Sequence, residues 1–465
     1  MSRAEQSGGE RSLETRRLFR AWLIFATITL GLAAFFVIPA AFASALGARE
    51  ILESPVVVRF LIGHVFFSMV VACSAFQAIL WMLAVLWVEA SRFPVLPAWI
   101  GFGLAIAGSG LGALSTFLGG GNPVLAEFVP VVVEPAFLSG FGLFVLGVAV
   151  TTGSFIYAIT SVDIGRMPLI PFGMLCIALI IVAAGLSGIA TLARLFGDWF
   201  AFQLAWRTPY VLAQAIFWGP GHLITFSLVG AMVVSWILLM PSPGLQGFDE
   251  RMARIGFIVL VFFAAVVLVV LFAVDPLALP KMTGLNVAIS GSLTLPILLL
   301  GSLVLRRMFS RDSRPRSPAL LLSLLLFALG LLIVVVGISH KGLAWVPPHY
   351  QAMIPGAVLI AFTGVTAELI LPWDRSLISE PLARMQAYLY GGGIFTVALG
   401  MFWAALLGGE RRGYFITVPA KGPVVLLTVG GISAGLGVLA FMANTLGAFS
   451  ERPTSAHSDA RRVPQ

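Results

Sequence analysis

Three histidines stand inside otherwise apolar stretches of this chain: His64 in FLIGHVFFSM, His222 in WGPGHLITF and His349 in WVPPHYQAM. An imidazole in the interior of a bilayer is costly unless it has a partner, so each calls for a hydrogen-bond acceptor, a metal or a proton path. Neutral imidazole is the commonest axial ligand of haem iron, and a bundle of long helices can hold a macrocycle between them. Haem ligation is therefore the chemistry these residues suggest first. The chain has five histidines; the other two, His340 and His457, lie at the end of an apolar run and in the C-terminal tail.

The elements that must position these side chains follow from composition. A chain of 465 residues that is 59% hydrophobic and 10% charged cannot bury its apolar surface in a water-soluble core, so lipid is its solvent. Every apolar run has helical length, and none shows the ten-residue alternation of a membrane barrel. The expected fold class is an all-α polytopic membrane protein, a bundle of about twelve transmembrane helices. The expected organisation is a polar cytoplasmic N-terminus over 1–19, one twelve-helix membrane domain over 20–448 and a disordered cytoplasmic tail over 449–465. Spans two, six and ten, which carry the histidines, are read at 57–88, 208–240 and 347–373. Cys73 and Cys176 both fall within spans and imply no disulfide framework.

The formal charge of +8 reflects topology. With both termini inside, about two thirds of the Lys and Arg lie on the cytoplasmic side, following the positive-inside rule. The clusters are Arg11, Arg16, Arg17 and Arg20 before the first span, and Arg306, Arg307, Arg311, Arg314 and Arg316 between the eighth and ninth. No basic stripe is interleaved with aromatics, so nucleic acid is not an expected partner; membrane lipid is.

In this topology spans two, six and ten all run from outside to inside, and the three histidines fall in their outer halves at similar depth. Pro347 and Pro348 suit a first helical turn, where the donors they lack would be orphaned anyway, so His349 is expected to open its helix. Gly219, Pro220 and Gly221 are expected to break regular hydrogen bonding just ahead of His222. Thr225, Ser290, Ser292, Thr294, Thr363 and Thr366 offer hydroxyls for a proton channel, against the commoner reading that they bond the carbonyl one turn back.

The residues resemble the large catalytic subunit of the haem-copper oxygen and nitric oxide reductases. The resemblance rests on the twelve spans, the span-two His64, the W-x-x-G-H element ending at His222 and the V-P-x-H-Y element around His349. It implies that His64 is an axial ligand of a low-spin haem, that His349 is the proximal ligand of a high-spin haem, and that His222 is a ligand of the copper or non-haem iron facing it. It further implies that His340, Arg411 and Arg412 meet haem propionates. One or two haems of b type, and a cupredoxin-like or cytochrome c-type electron donor, belong to the same expectation, as does a bacterial cytoplasmic membrane.

The departures are as informative as the matches. Gln351 stands where the family has its second low-spin ligand, and an amide is a poor haem ligand beside imidazole. Span seven, which in the family supplies two adjacent histidines, has none in VVLVVLFAVDP. A first-row metal generally wants three or four such ligands, so the sequence argues against a stable copper site. Phe226 stands where many oxygen reductases carry a tyrosine, and Glu368 lies too deep to serve a non-haem iron beside His349. The expected function is a haem-binding respiratory subunit with reduced, altered or lost oxygen or nitric oxide reduction. Its rival is a non-catalytic paralogue that binds one haem or none and acts in assembly, sensing or as a partner subunit. A secondary transporter ranks below both, because Glu368 is the only strong candidate for a midplane charge.

Overall fold

The computed structural model describes residues 3–450, apart from 46–50, 52, 91, 201–207, 241–244, 310–316, 339–343, 375–378, 413–414, 417 and 419. Twelve helices among the described residues are long and apolar enough to cross a membrane. In chain order they are α1 Ser12–Ala43, α2 Pro55–Trp87, α3 Val95–Leu118, α4 Pro135–Ile159, α5 Leu169–Gly197, α6 Pro209–Leu239, α7 Phe248–Ala273, α8 Gly284–Met308, α9 Pro318–Gly337, α10 Val346–Asp374, α11 Glu380–Leu406 and α12 Lys421–Ser450. The chain is thus an all-helical multi-pass membrane protein, as its composition requires: in lipid each backbone donor and acceptor must be satisfied within its own segment or a closed barrel.

Local chemistry sets where the helices begin. α2, α4, α10 and α11 all carry proline in the first turn, where a missing N–H costs nothing. Ser54 and Ser379 cap α2 and α11 by accepting from the amides of Val57 and Leu382 at 3.4 and 3.3 Å. The predicted opening of span ten is met: Trp345 is the N-cap, Pro347 and Pro348 are buried, and the His349 amide bonds the Trp345 carbonyl at 3.2 Å.

The helices form two compact units. One comprises Met1–Leu23, Ser74–Ile237 and Pro243–Arg311. In it α3 and α4 pack closely through Gly101, Gly108, Gly140 and Gly147, each backed by the partner helix's main chain. Between these helices a hairpin pairs β1 Asn122–Val124 with β2 Val131–Val133. Arg254 donates to the Met167 carbonyl and pairs with Glu250, and Arg306 pairs with Asp249. The other unit comprises Ile24–Cys73, Leu238–Ser242 and Asp312–Gln465. There α11 and α12 meet through Gly393, Gly430 and Gly437, and α10 packs against α9 and α11.

Among the described residues three π-helical turns depart from regular helix, and one expected departure is not there. α2 opens into a π-helical turn at Phe66–Ala72, directly after His64, and α10 does so at Ala352–Val358, directly after His349 and Gln351, and again at Thr366–Ile370. None of these was foreseen from sequence. By contrast, α6 continues through Gly219, Pro220 and Gly221 as one helix with Pro220 inside it, which corrects the expected break. The two glycines serve packing instead: a β-carbon at Gly219 would come within 3.1 Å of the Leu271 side chain, and one at Gly221 would collide with the Phe128 ring.

Candidate functional site

His64 and His349 lie in the same unit and are held in the same way. The His64 ring is half-buried between buried Gly63 and Val65, and its Nδ1 lies 2.9 Å from the Ala33 carbonyl of α1. The His349 ring, also half-buried, has Nδ1 3.0 Å from the Gly330 carbonyl of α9. A carbonyl only accepts, so in each ring Nδ1 carries the proton and Nε2 keeps its lone pair. Tying one nitrogen to a neighbouring helix fixes the plane of the ring and raises the basicity of the other, which is the arrangement found behind metal-bound imidazoles. The surroundings are apolar and aromatic. Phe36 of α1 stacks on Phe67 with centroids 5.5 Å apart and meets Phe60 edge-on, and Trp345 and Tyr350 flank His349 at 6.3 and 5.5 Å.

α10 is the most enclosed of the twelve spans, yet His349, Tyr350 and Gln351 all keep some accessible surface. None of the described residues hydrogen-bonds the Gln351 amide. The π-turns below the two histidines touch each other, so α2 and α10 are neighbours at the level of Phe66–Ala72 and Ala352–Val358.

His222, in the other unit, is held differently. Its Nδ1 bonds the Trp218 carbonyl of its own helix, one turn back, at 2.8 Å. The ring lies between Trp218 and Phe128, with centroids 4.2 and 4.5 Å away. Phe128 comes from the connection between β1 and β2 and has φ 63°, a conformation uncommon for a bulky residue; its ring rests on Gly221. The Trp218 carbonyl is the hydrogen-bond partner of Nδ1 in this ring.

Among the described residues no group of three His, Cys, Asp or Glu side chains comes together to hold a metal. The donor set around His222, one imidazole beside two aromatic rings, does not fit copper or non-haem iron. Glu368 is committed elsewhere: it accepts from the Ala319 amide at 3.4 Å at the start of α9. Five of the six hydroxyls weighed as a proton channel bond back into their own helices, Thr225 to Gly221, Ser292 to Ile289, Thr294 to Ser290, Thr363 to Leu359 and Thr366 to Phe362. His340 and His457 lie outside the described residues. Arg411 and Arg412 form a two-residue strand paired with Phe415 and Ile416, and their side chains lie outside the description.

Sequence reasoning missed the residues that hold the imidazoles. Ala33 and Gly330 contribute only main chain, which no residue-type motif marks. Phe128, whose ring lies against His222, is remote from it in sequence. Trp218, four residues before His222, was legible from helical spacing alone.

No family model matches the chain. It is 25% identical to an uncharacterized protein of Aquifex aeolicus (strain VF5) over 357 residues, 74% of this chain and 82% of that protein. It is 23% identical to cytochrome c oxidase subunit 1 of Thermus thermophilus over 384 residues, 74% of this chain and 67% of that one. Its fold matches a chain in a cryo-EM structure of a heme-copper terminal oxidase dimer with a TM-score of 0.69 at 16% identity, covering 96% of this chain and 88% of that one. The chain therefore has the fold of a chain of a heme-copper terminal oxidase and is similar in sequence to a cytochrome c oxidase subunit 1.

Proposed function

We propose that this chain is a haem-binding subunit of a membrane electron-transfer system, in which His64 and His349 are axial ligands and the second metal of the oxidase site is not bound. The observation that carries this is the shared mode of holding the two imidazoles, each with Nδ1 on a carbonyl of another helix and Nε2 free. Haem bound there supplies one-electron redox chemistry, and its potential is set by the axial ligands and the apolar surroundings. The chain's own residues bind and orient: Ala33 and Gly330 aim the rings, while Phe36, Phe60 and Phe67 keep water from His64. Gln351, where the family has an imidazole, leaves the iron at His64 short of its usual second ligand.

Reduction of oxygen or nitric oxide by the two-metal route has no support from the residues around His222. The reading is thus of electron transfer or gas binding at haem, with a small cupredoxin-like or cytochrome c-type protein as the donor and a bacterial cytoplasmic membrane as the location. Gln351 and the histidine-free α7 also favour the rival, a paralogue holding one haem or none.

Pyridine haemochrome and metal analysis of protein purified in detergent from haem-replete cells tests this. We expect b-type haem at one or two per chain and copper well below one per chain. His349→Ala should lose a haem and its high-spin absorption, whereas His222→Ala should leave haem content nearly intact. Haem-free wild-type protein, or an unchanged optical spectrum in His349→Ala, would overturn the assignment.

A further inference from the structure

The π-turn of α10 has no sufficient cause in its own sequence. Pro355 lies inside it, and proline offers no N–H to the carbonyl four residues back, so the Gln351 carbonyl loses its helical donor. A β-carbon on Gly356 would lie 3.1 Å from that carbonyl, so only glycine lets it swing in without crowding. Proline explains that the helix is interrupted; a kink or a simple loss of one bond would answer equally well. What selects a π-turn here is supplied by the two helices on either side.

From α11, the Tyr390 hydroxyl donates to the Pro355 carbonyl at 2.6 Å. From α9, the Ser323 hydroxyl donates to the Ala357 carbonyl, also at 2.6 Å. Both donors are buried, Ser323 completely and Tyr390 at 5% exposure, and both bonds cross between helices. Most other buried hydroxyls here bond within their own helix, as Thr363 and Thr366 do. A carbonyl left without a partner in an apolar interior is costly, so hydroxyls placed at these two carbonyls favour the backbone form that exposes them. Ser323 also lies seven residues before Gly330 on α9, about two turns and on the same face. One face of α9 therefore holds α10 twice, accepting from the His349 ring at Gly330 and donating to the turn at Ala357.

The consequence is angular. A π-turn contains one residue more than the α-helical turn it replaces, so everything above it is rotated by roughly 100° relative to the helix below. If the turn relaxed while the lower part of α10 stayed packed, the His349 ring would swing away from Gly330. We propose that Ser323 and Tyr390 are positioning residues: they clamp the π-turn of α10 from two sides and so hold His349 with Nδ1 on Gly330 and Nε2 open to a haem iron. The haem in that statement rests on the reading above; the orientation of the ring does not.

The test uses full-length protein with 15N-labelled histidine, the His349 lines being assigned by their loss in His349→Gln. Tyr390→Phe and Ser323→Ala remove one hydroxyl each with little change in packing. In both, the His349 Nδ1 line should move or split, more so in the double variant, while the His64 lines stay in place; Ser323→Thr should restore the wild-type line. In haem-loaded protein the iron–imidazole stretching band in the resonance Raman spectrum should shift in parallel. Variants that lose thermal stability but keep the His349 line unchanged would show that the hydroxyls merely glue helices together, and would overturn the proposal. Haem-free wild-type protein would remove the functional reading, yet the nitrogen lines would still decide this one.

Discussion

At the scale of single residues, the difference between a ligand and a packed side chain lies in what holds the ring. His64 and His349 are tied across helices to Ala33 and Gly330, while His222 is tied within its own helix and caged by Trp218 and Phe128. From sequence the three looked alike, because all are lone imidazoles in apolar runs. Gln351 gives the sharpest residue-level prediction. It is half-buried with its amide unpartnered among the described residues, so Gln351→His should be accommodated and should supply the missing second imidazole. The expected result is a gain of low-spin haem signal by electron paramagnetic resonance. A spectrum identical to wild type, at equal haem content, would count against Gln351 facing the low-spin site.

At the scale of elements, the close approach of α10 to α9 depends on Gly330. A β-carbon there would lie 2.6 Å from the Met353 sulfur and 2.7 Å from its Cγ, and overpacking of this kind costs about 1–3 kcal/mol. Gly330→Ala should therefore lower the thermal midpoint in detergent and weaken His349-dependent haem binding, because the carbonyl that holds the ring moves with the helix. Met353→Ala in the same chain removes the clashing atoms and should recover much of the loss, since Met353 is flexible and its end atoms are what a methyl would meet. Failure of the second substitution to recover anything would mean that Gly330 acts through something other than this contact. Helix existence was legible in the apolar runs, and the start of α10 in Pro347 and Pro348. The unbroken course of α6 was not, because glycine and proline have the same local signature whether they break a helix or make room for a neighbour's side chain, here Leu271 and Phe128.

At the scale of the whole molecule, twelve apolar helices make a multi-pass membrane protein, and charge predicts how it is threaded. Arg306 and Arg307 end α8, and Arg16, Arg17 and Arg20 lie in the first turns of α1. The positive-inside rule then puts both termini in the cytoplasm. Reporter fusions check this: one placed after Ser450 should be active in the cytoplasm, and one inserted at Gly120, before the hairpin of β1 and β2, should be active outside. The reverse pattern would invert every statement about the outer halves of α2, α6 and α10.

What the sequence determined by itself is the class of solvent, the number and approximate placement of the spans, and the identity of the three imidazoles, because hydrophobic length and the cost of a buried polar group are properties of residue type. It also determined that span seven brings no histidine, which is enough to argue against a second metal. Only the tertiary structure decided which imidazoles are tied to a neighbouring helix, since that depends on main-chain carbonyls of Ala33 and Gly330 that any residue could offer. The same holds for the π-turns: Pro355 announces an interruption, but its form is set by hydroxyls on Ser323 and Tyr390, which are far away in sequence and meet the turn only once α9 and α11 have packed beside it.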